Sequence, residues 1–125
     1  MTIGEVKDIL EAVILTGGER MDEPVDTACG SDLMSDVLAF VKDKTVLITG
    51  LINPHVVRTS EMLDITCIVF SRGKLPSPEI LEEADECGIT VMATKMTTYT
   101  ACGELYVHGL PGTKKRAVKE GGLAE

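Results

Sequence analysis

Three short loops carry the side chains best suited to holding a ligand. Gly50-Leu51-Ile52-Asn53, Ser71-Arg72-Gly73-Lys74 and Thr94-Lys95-Met96-Thr97-Thr98 each follow an apolar run and lead toward a helix start. Arg72 and Lys74 flank a glycine, whose small size lets backbone N–H groups approach a ligand, and Lys95 precedes a threonine-capped helix start. N–H groups, a helix dipole and cations in one place favour a phosphate or a carboxylate. His55 lies in the first turn after Pro54, where it could face the same loops as Arg72. The candidate ligand-binding residues are therefore Asn53, His55, Arg72, Gly73, Lys74, Lys95, Thr97 and Thr98, with a small anion or a nucleotide as the expected ligand. The competing reading is that these charges pair with acidic neighbours or line a dimer contact.

Other reactive side chains are scattered. Asp32 and Asp36, four apart, are expected on one helical face, with Asp32 in the first turn where the helix dipole favours a carboxylate. Two carboxylates at this common spacing lack a third ligand for Mg²⁺. His55 and His108 are far apart, and neither has a nucleophile motif nearby. Arg58 and Glu61 are spaced to form an exposed pair on a helix. Cys29, Cys67, Cys87 and Cys102 contain no C-x-x-C pair and are expected as free, buried thiols, not as a metal or iron–sulfur site. The phosphate loop G-x-x-x-x-G-K-[ST] does not occur, nor do G-x-G-x-x-G, G-x-S-x-G and H-E-x-x-H. The expectation is no catalytic residue, no metal and no cofactor, and kinase activity is rejected.

The elements that must position the loops are legible. Thr2 and Glu5 form a capping-box signature before Val6, Ile9 and Leu10, predicting a helix over Ile3 to Glu11. Ala12 to Leu15 reads as a buried strand ended by Gly17-Gly18, and Val25, Thr27 and Cys29 alternate as a second short strand. Ser31 is expected to cap a helix carrying Leu33, Val37, Leu38 and Val41. Thr45–Thr49 is a strand, and Asn53 with Pro54 opens a helix to about Leu63. Ile65–Phe70 is a strand, Ser77-Pro78 opens the next helix, and Gly88 ends it. Thr90–Ala93 is a strand, and Thr97 or Thr98 caps a last helix ending near Gly109. Helices between apolar strands force a parallel sheet, and strands apolar at nearly every position suit a sheet covered on both faces. The expected fold is α/β, a single three-layer domain with a mainly parallel sheet.

Composition bounds the rest. A chain of 125 residues with 44% hydrophobic and 26% charged residues is one globular domain. Net charge −8, with Phe40, Phe70, Tyr99 and Tyr106 as the only aromatics and no Trp, argues against nucleic-acid binding. No run approaches the ~18 apolar residues of a membrane span. Met1 to Leu10 lack a signal peptide's apolar core, so a cytoplasmic location is expected. Residues 1–110 are expected to form the domain. Residues 111–125 are expected as a flexible C-terminal tail, with Lys114, Lys115, Arg116 and Lys119 against Glu120 and Glu125.

Taken together, Ser31 to Ala39, Leu47-Ile48-Thr49-Gly50, Ile89 to Met92 and Thr98 to Ala101 resemble the DRTGG domain family, over about Val6 to Leu110. The likeness is greatest to small stand-alone members, often labelled as relatives of the HPr kinase. The resemblance implies a fold like the N-terminal domains of HPr kinase and the MurF ligase, without catalytic machinery of its own. Family domains also occur in phosphate acetyltransferases and between CBS modules of regulated pyrophosphatases. Where the family has Asp-Arg this chain has Asn53-Pro54-His55, and where it has Thr-Gly-Gly this chain has Ser71-Arg72-Gly73, so only Gly73 survives. The expected function is a non-catalytic regulatory or interaction module, self-associating as a homodimer and sensing a nucleotide or other small anion. A protein partner is left open. The alternatives are a dedicated small-molecule binding protein and, less favoured, an unrecognised cysteine- or histidine-based transferase.

Overall fold

The computed structural model describes residues 1–41 and 44–112, the side chain of Phe40 apart. Along the chain run α1 (Ile3–Leu10), β1 (Val13–Thr16), a single 3-10 turn (Gly18–Arg20), β2 (Thr27–Gly30) and α2 (Met34–Phe40). Then come β3 (Thr45–Thr49), α3 (Pro54–Met62), β4 (Cys67–Phe70), α4 (Pro78–Glu86), β5 (Thr90–Ala93) and α5 (Thr98–Val107). The strands form one sheet in the order β1-β5-β4-β3-β2. Neighbours from β2 to β5 are parallel, whereas β1 runs antiparallel along β5, with an irregularity between Ile14 and Thr16. The expected α/β architecture with a mainly parallel sheet is the one found.

The three layers follow from which way each strand residue points. On one face Val46, Ile48, Cys67, Val69 and Met92 pack with Ile3, Val6 and Leu10 of α1 and with Ala101 and Leu105 of α5. On the other, Leu47, Ile68, Phe70 and Val91 meet Val37 of α2, Val56 and Val57 of α3, and Ile80 and Ala84 of α4. Covered on both sides, β3, β4 and β5 are buried at every position, which is why they read as runs apolar at nearly every position. Each fully buried aliphatic side chain contributes about 1.5–3 kcal/mol, so these three strands anchor everything their ends carry.

Local chemistry sets the element ends. Thr2 and Glu5 close the capping box as expected. Asn53, Ser77 and Thr97 cap α3, α4 and α5, with prolines opening α3 and α4. Gly88, at φ 76, makes the left-handed exit from α4.

Several expectations are corrected. Ser31 is not the cap of α2: Leu33 holds that position without a side-chain bond, and Ser31 Oγ accepts from the Leu33 N–H at 3.0 Å. The reason is that Ser31, directly after β2, is still tied to the sheet, its N–H donating to the Ile48 carbonyl. Asp32 consequently lies outside the helix and shares no helical face with Asp36. The Arg58–Glu61 pair does not form. Among the described residues ion pairs join Lys7 to Asp8 (3.9 Å) and Arg20 to Glu19 (3.1 Å). All four cysteines are free, yet only Cys67 is buried, because Cys29, Cys87 and Cys102 lie at the margins of the two cores. Of the expected tail, Pro111 and Gly112 lie along β2, where the Ala28 N–H donates to the Pro111 carbonyl at 2.9 Å. The remainder, 113–125, lies outside the described residues.

Candidate functional site

The carboxyl ends of β2, β3, β4 and β5 line up along one edge of the sheet, where parallel α/β folds generally hold ligands. The edge divides into two halves. At the ends of β2 and β3, Asp32 Oδ1 accepts from the Gly50 N–H at 2.7 Å and from the Thr49 hydroxyl at 3.0 Å. The Thr49 hydroxyl in turn accepts from the Leu51 N–H at 3.1 Å. The chain's own carboxylate thus occupies the position at which a strand-end amide would receive an anion.

At the ends of β4 and β5 the backbone is used differently. The Arg72 N–H donates to the Met96 carbonyl at 2.7 Å and the Gly73 N–H to the Thr94 carbonyl at 2.8 Å. The amides expected to face a ligand are therefore spent on stitching one loop to the next. Arg72 and Gly73 are both left-handed, at φ 59 and 69. That conformation strains a non-glycine residue by about 1–3 kcal/mol, and here the two stitches hold it in place. Ser71, fully buried, shares a 2.6 Å hydroxyl–hydroxyl bond with Thr98, tying this loop to the first turn of α5. The Thr94 hydroxyl donates to the Leu10 carbonyl at 2.7 Å, which draws the end of α1 onto the same corner.

Between these parts opens a cavity of about 470 Å³. Its walls include Leu10, Val13, Leu75, Ala93 and Met96, with Glu11 and Lys95 contributing charge and Gly73 and Thr94 contributing polar backbone and hydroxyl. Val13 and Leu75 are 58% and 63% exposed, so the pocket keeps apolar surface open to solvent. Arg72 and Lys95 are exposed and Lys74 half-buried, and among the described residues none of the three has a carboxylate within ion-pair distance.

Of the residues singled out from the sequence, Gly73 and Lys95 meet in this wall, and Arg72 and Lys74 flank Gly73. Thr98 reaches the same loop through Ser71. Thr97 serves as the α5 cap, accepting from the Thr100 N–H at 3.3 Å. Asn53 caps α3 by accepting from the His55 N–H at 2.9 Å, and neither Asn53 nor His55 belongs to the cavity wall. The contributions missed from the sequence are Asp32 as an internal anion, the Ser71–Thr98 bond, and the wall made by Leu10, Glu11 and Val13. The last had a readable signal as elements, but nothing local shows that β1 returns alongside β5.

The remaining reactive groups are held quiet. Burial pushes the Cys67 thiol up to about 12. Cys29 is raised by burial, then by Cys102 and Asp36, and Cys102 by burial. Burial and a bond to Glu61 raise Cys87. Thiols so raised stay protonated at neutral pH and are poor nucleophiles. His108 Nδ1 donates to the Glu104 carbonyl at 2.8 Å, far along the chain from His55. Among the described residues no three His, Cys, Asp or Glu side chains gather to hold a metal, and no helix is long and apolar enough to cross a membrane.

Residues 5–106 match the DRTGG domain, which is most of the chain and spans every element from α1 into α5. The chain belongs to the DRTGG domain family. No curated protein matches it. Among solved structures, this DRTGG chain is similar to the CBS and DRTGG domains of the regulatory region of Clostridium perfringens pyrophosphatase, complexed with the activator diadenosine tetraphosphate. The identity is 22% and the TM-score 0.67, over 93% of this chain and 51% of that one. The likeness establishes the fold, and this DRTGG domain spans about half the length of that neighbour.

Proposed function

We propose that this DRTGG domain is a non-catalytic regulatory or interaction module of the cytoplasm that self-associates and senses a nucleotide or another small anion at the β4–β5 corner. The observation carrying this reading is the cavity of about 470 Å³ whose wall includes Gly73 and Lys95, beside cations that no carboxylate of the described residues approaches to ion-pair distance. Its size falls within the ~300–1,000 Å³ typical of small-molecule sites. Apolar walls suit a flat, weakly polar body such as a base, and Lys95 and Arg72 suit its anionic group. The amides of Arg72 and Gly73 are already engaged, so side chains carry the charge recognition. Lys74, Thr97 and Thr98 flank that position. Asn53 and His55, at the other half of the rim, would contribute only to a ligand long enough to cross it.

Support for a regulatory role comes from the family and from the neighbour, a regulatory region solved with a dinucleotide activator. Protonated thiols and separated histidines favour binding over chemistry. Four unpaired cysteines suit a reducing compartment. Thermal unfolding in ATP, diadenosine tetraphosphate, acetyl phosphate and inorganic phosphate tests the ligand. A ligand at a hundred times its Kd adds about 2.7 kcal/mol of stability. The expected result is a rise with at least one nucleotide that vanishes in Arg72→Glu/Lys95→Glu. No rise with any of the four, or an equal rise in the variant, overturns the reading.

A further inference from the structure

Among the described residues, the outer face of α5 is left without a partner. Of its ten residues only Ala101 and Leu105 are buried. Tyr99 is 89% exposed and Tyr106 71%. Tyr99, Gly103 and Tyr106 recur at i, i+4 and i+7 and so form one stripe. Gly103 stands in mid-helix, where glycine costs about 1 kcal/mol relative to alanine. A Cβ there would meet nothing within 4 Å, so no contact among the described residues requires the glycine. Beside the stripe a groove of about 340 Å³ runs between α5 and the edge strand β2, lined by Ala28, Gly30 and Gly112 on one side and Tyr99, Cys102 and Tyr106 on the other.

We propose that this face receives a second copy of the chain, α5 against α5 about a two-fold axis, with the tyrosines of each copy seated in the groove of the other. The proposal rests on the self-association in the preceding reading and gives it a place. A ridge lying next to a groove is self-complementary under a two-fold axis, because each surface then meets its counterpart. Charge selects the occupant. The chain carries a net −8, and α1 exposes Glu5 and Asp8 while α4 exposes Glu79, Glu82, Asp85 and Glu86. A second copy is repelled at those faces. On α5 the single carboxylate, Glu104, is half-buried, and no Lys or Arg stands there to hold an acidic partner or an anionic lipid surface.

The area also suffices. A stable pair buries roughly 1,200–2,000 Å² in total. Aromatic side chains bury about 150–250 Å² each, so the four tyrosines of a pair supply half of that minimum or more. Val107, 74% exposed, and the groove walls add to it. Tyrosine is also among the residues enriched where interface energy concentrates.

Tyr99 and Tyr106 are the only tyrosines and the chain has no Trp, so its intrinsic fluorescence reports this face alone. Sedimentation of the full chain across the micromolar range should give twice the 13.4 kDa of one copy. Tyrosine anisotropy should fall as dilution separates the pair. Tyr99→Glu/Tyr106→Glu should sediment as one copy, and Gly103→Leu, whose new side chain has open space in the single chain, should weaken association roughly thirtyfold or more. Unchanged circular dichroism confirms that both variants fold. A pair that persists undiminished in both variants overturns the α5 interface while leaving self-association standing. A wild-type chain that sediments as one copy overturns both. Tyrosine emission and anisotropy that stay constant while the mass halves place the contact elsewhere and overturn the interface alone.

Discussion

At the ends of β2 and β3 the chain supplies its own anion, whereas at the ends of β4 and β5 it leaves cations beside a cavity. In both halves the grammar of β3, β4 and β5 is the same: a buried strand, a short loop and a capped helix. They differ in what arrives from the neighbouring loop. Asp32 reaches across to Gly50 and Thr49 and satisfies that strand end. No carboxylate comes within ion-pair distance of Arg72 or Lys95 among the described residues, while apolar wall from Val13 and Leu75 stays open beside them. Strand ends in a parallel sheet thus become either closed structural joints or receptive sites according to one side chain's reach.

The comparison can be broken most forcefully at the strand both halves share. Phe70 ends β4, pairs with Thr49 on one side and Ala93 on the other, and is fully buried. Phe70→Ala should cost about 3–5 kcal/mol in urea unfolding and weaken both halves together. A loss confined to ligand response, with stability kept, would contradict a common foundation. Asp32→Ala should cost about 1–2 kcal/mol by stranding the Gly50 amide and the Thr49 hydroxyl, with Asp32→Asn losing less. If Asp32 acts as a built-in anion, inorganic phosphate should restore part of the loss in Asp32→Ala and add nothing in Asp32→Asn.

Smaller effects sharpen the contrast. Gly73→Ala places a side chain at φ 69 where nothing lies within 4 Å, so backbone strain alone should lower stability, by about 1 kcal/mol. A larger loss would mean that the loop is packed where the structure leaves it open. Smallest in stability is Arg72→Glu/Lys95→Glu, expected within about 0.5 kcal/mol of the native chain because neither cation has an ion-pair partner among the described residues. Its ligand response should be lost all the same, which separates a receptive site from a structural joint.

Much of this was legible without coordinates, for reasons that can be named. Thr2 with Glu5, Asn53 with Pro54, Ser77 with Pro78, and Gly88 announce helix ends because capping is a contest among residues only two or three apart. The apolar runs of β3, β4 and β5 announce a sheet covered on both sides. Ser31 misled because a serine near a helix start serves equally well in a turn, and the choice was made by its bond to Ile48 on the adjacent strand. Asp32 misled for the same reason: its partners lie 17 and 18 residues away. Burial of the cysteines was overstated because spacing fixes a residue's face and not its distance from the margin of the core.

The order of residues along the chain determined the elements, their caps, the parallel βαβ run and the loops in which cations stand. Tertiary structure alone decided that β1 turns back antiparallel beside β5, that the amides of Arg72 and Gly73 are spent on Met96 and Thr94, and that Asp32 closes one half of the rim while the other stays open. The first set depends on interactions spanning a few residues, which composition and spacing encode directly. The second depends on which distant segments come to lie side by side, and that is settled only when the apolar faces of the sheet are buried from both sides.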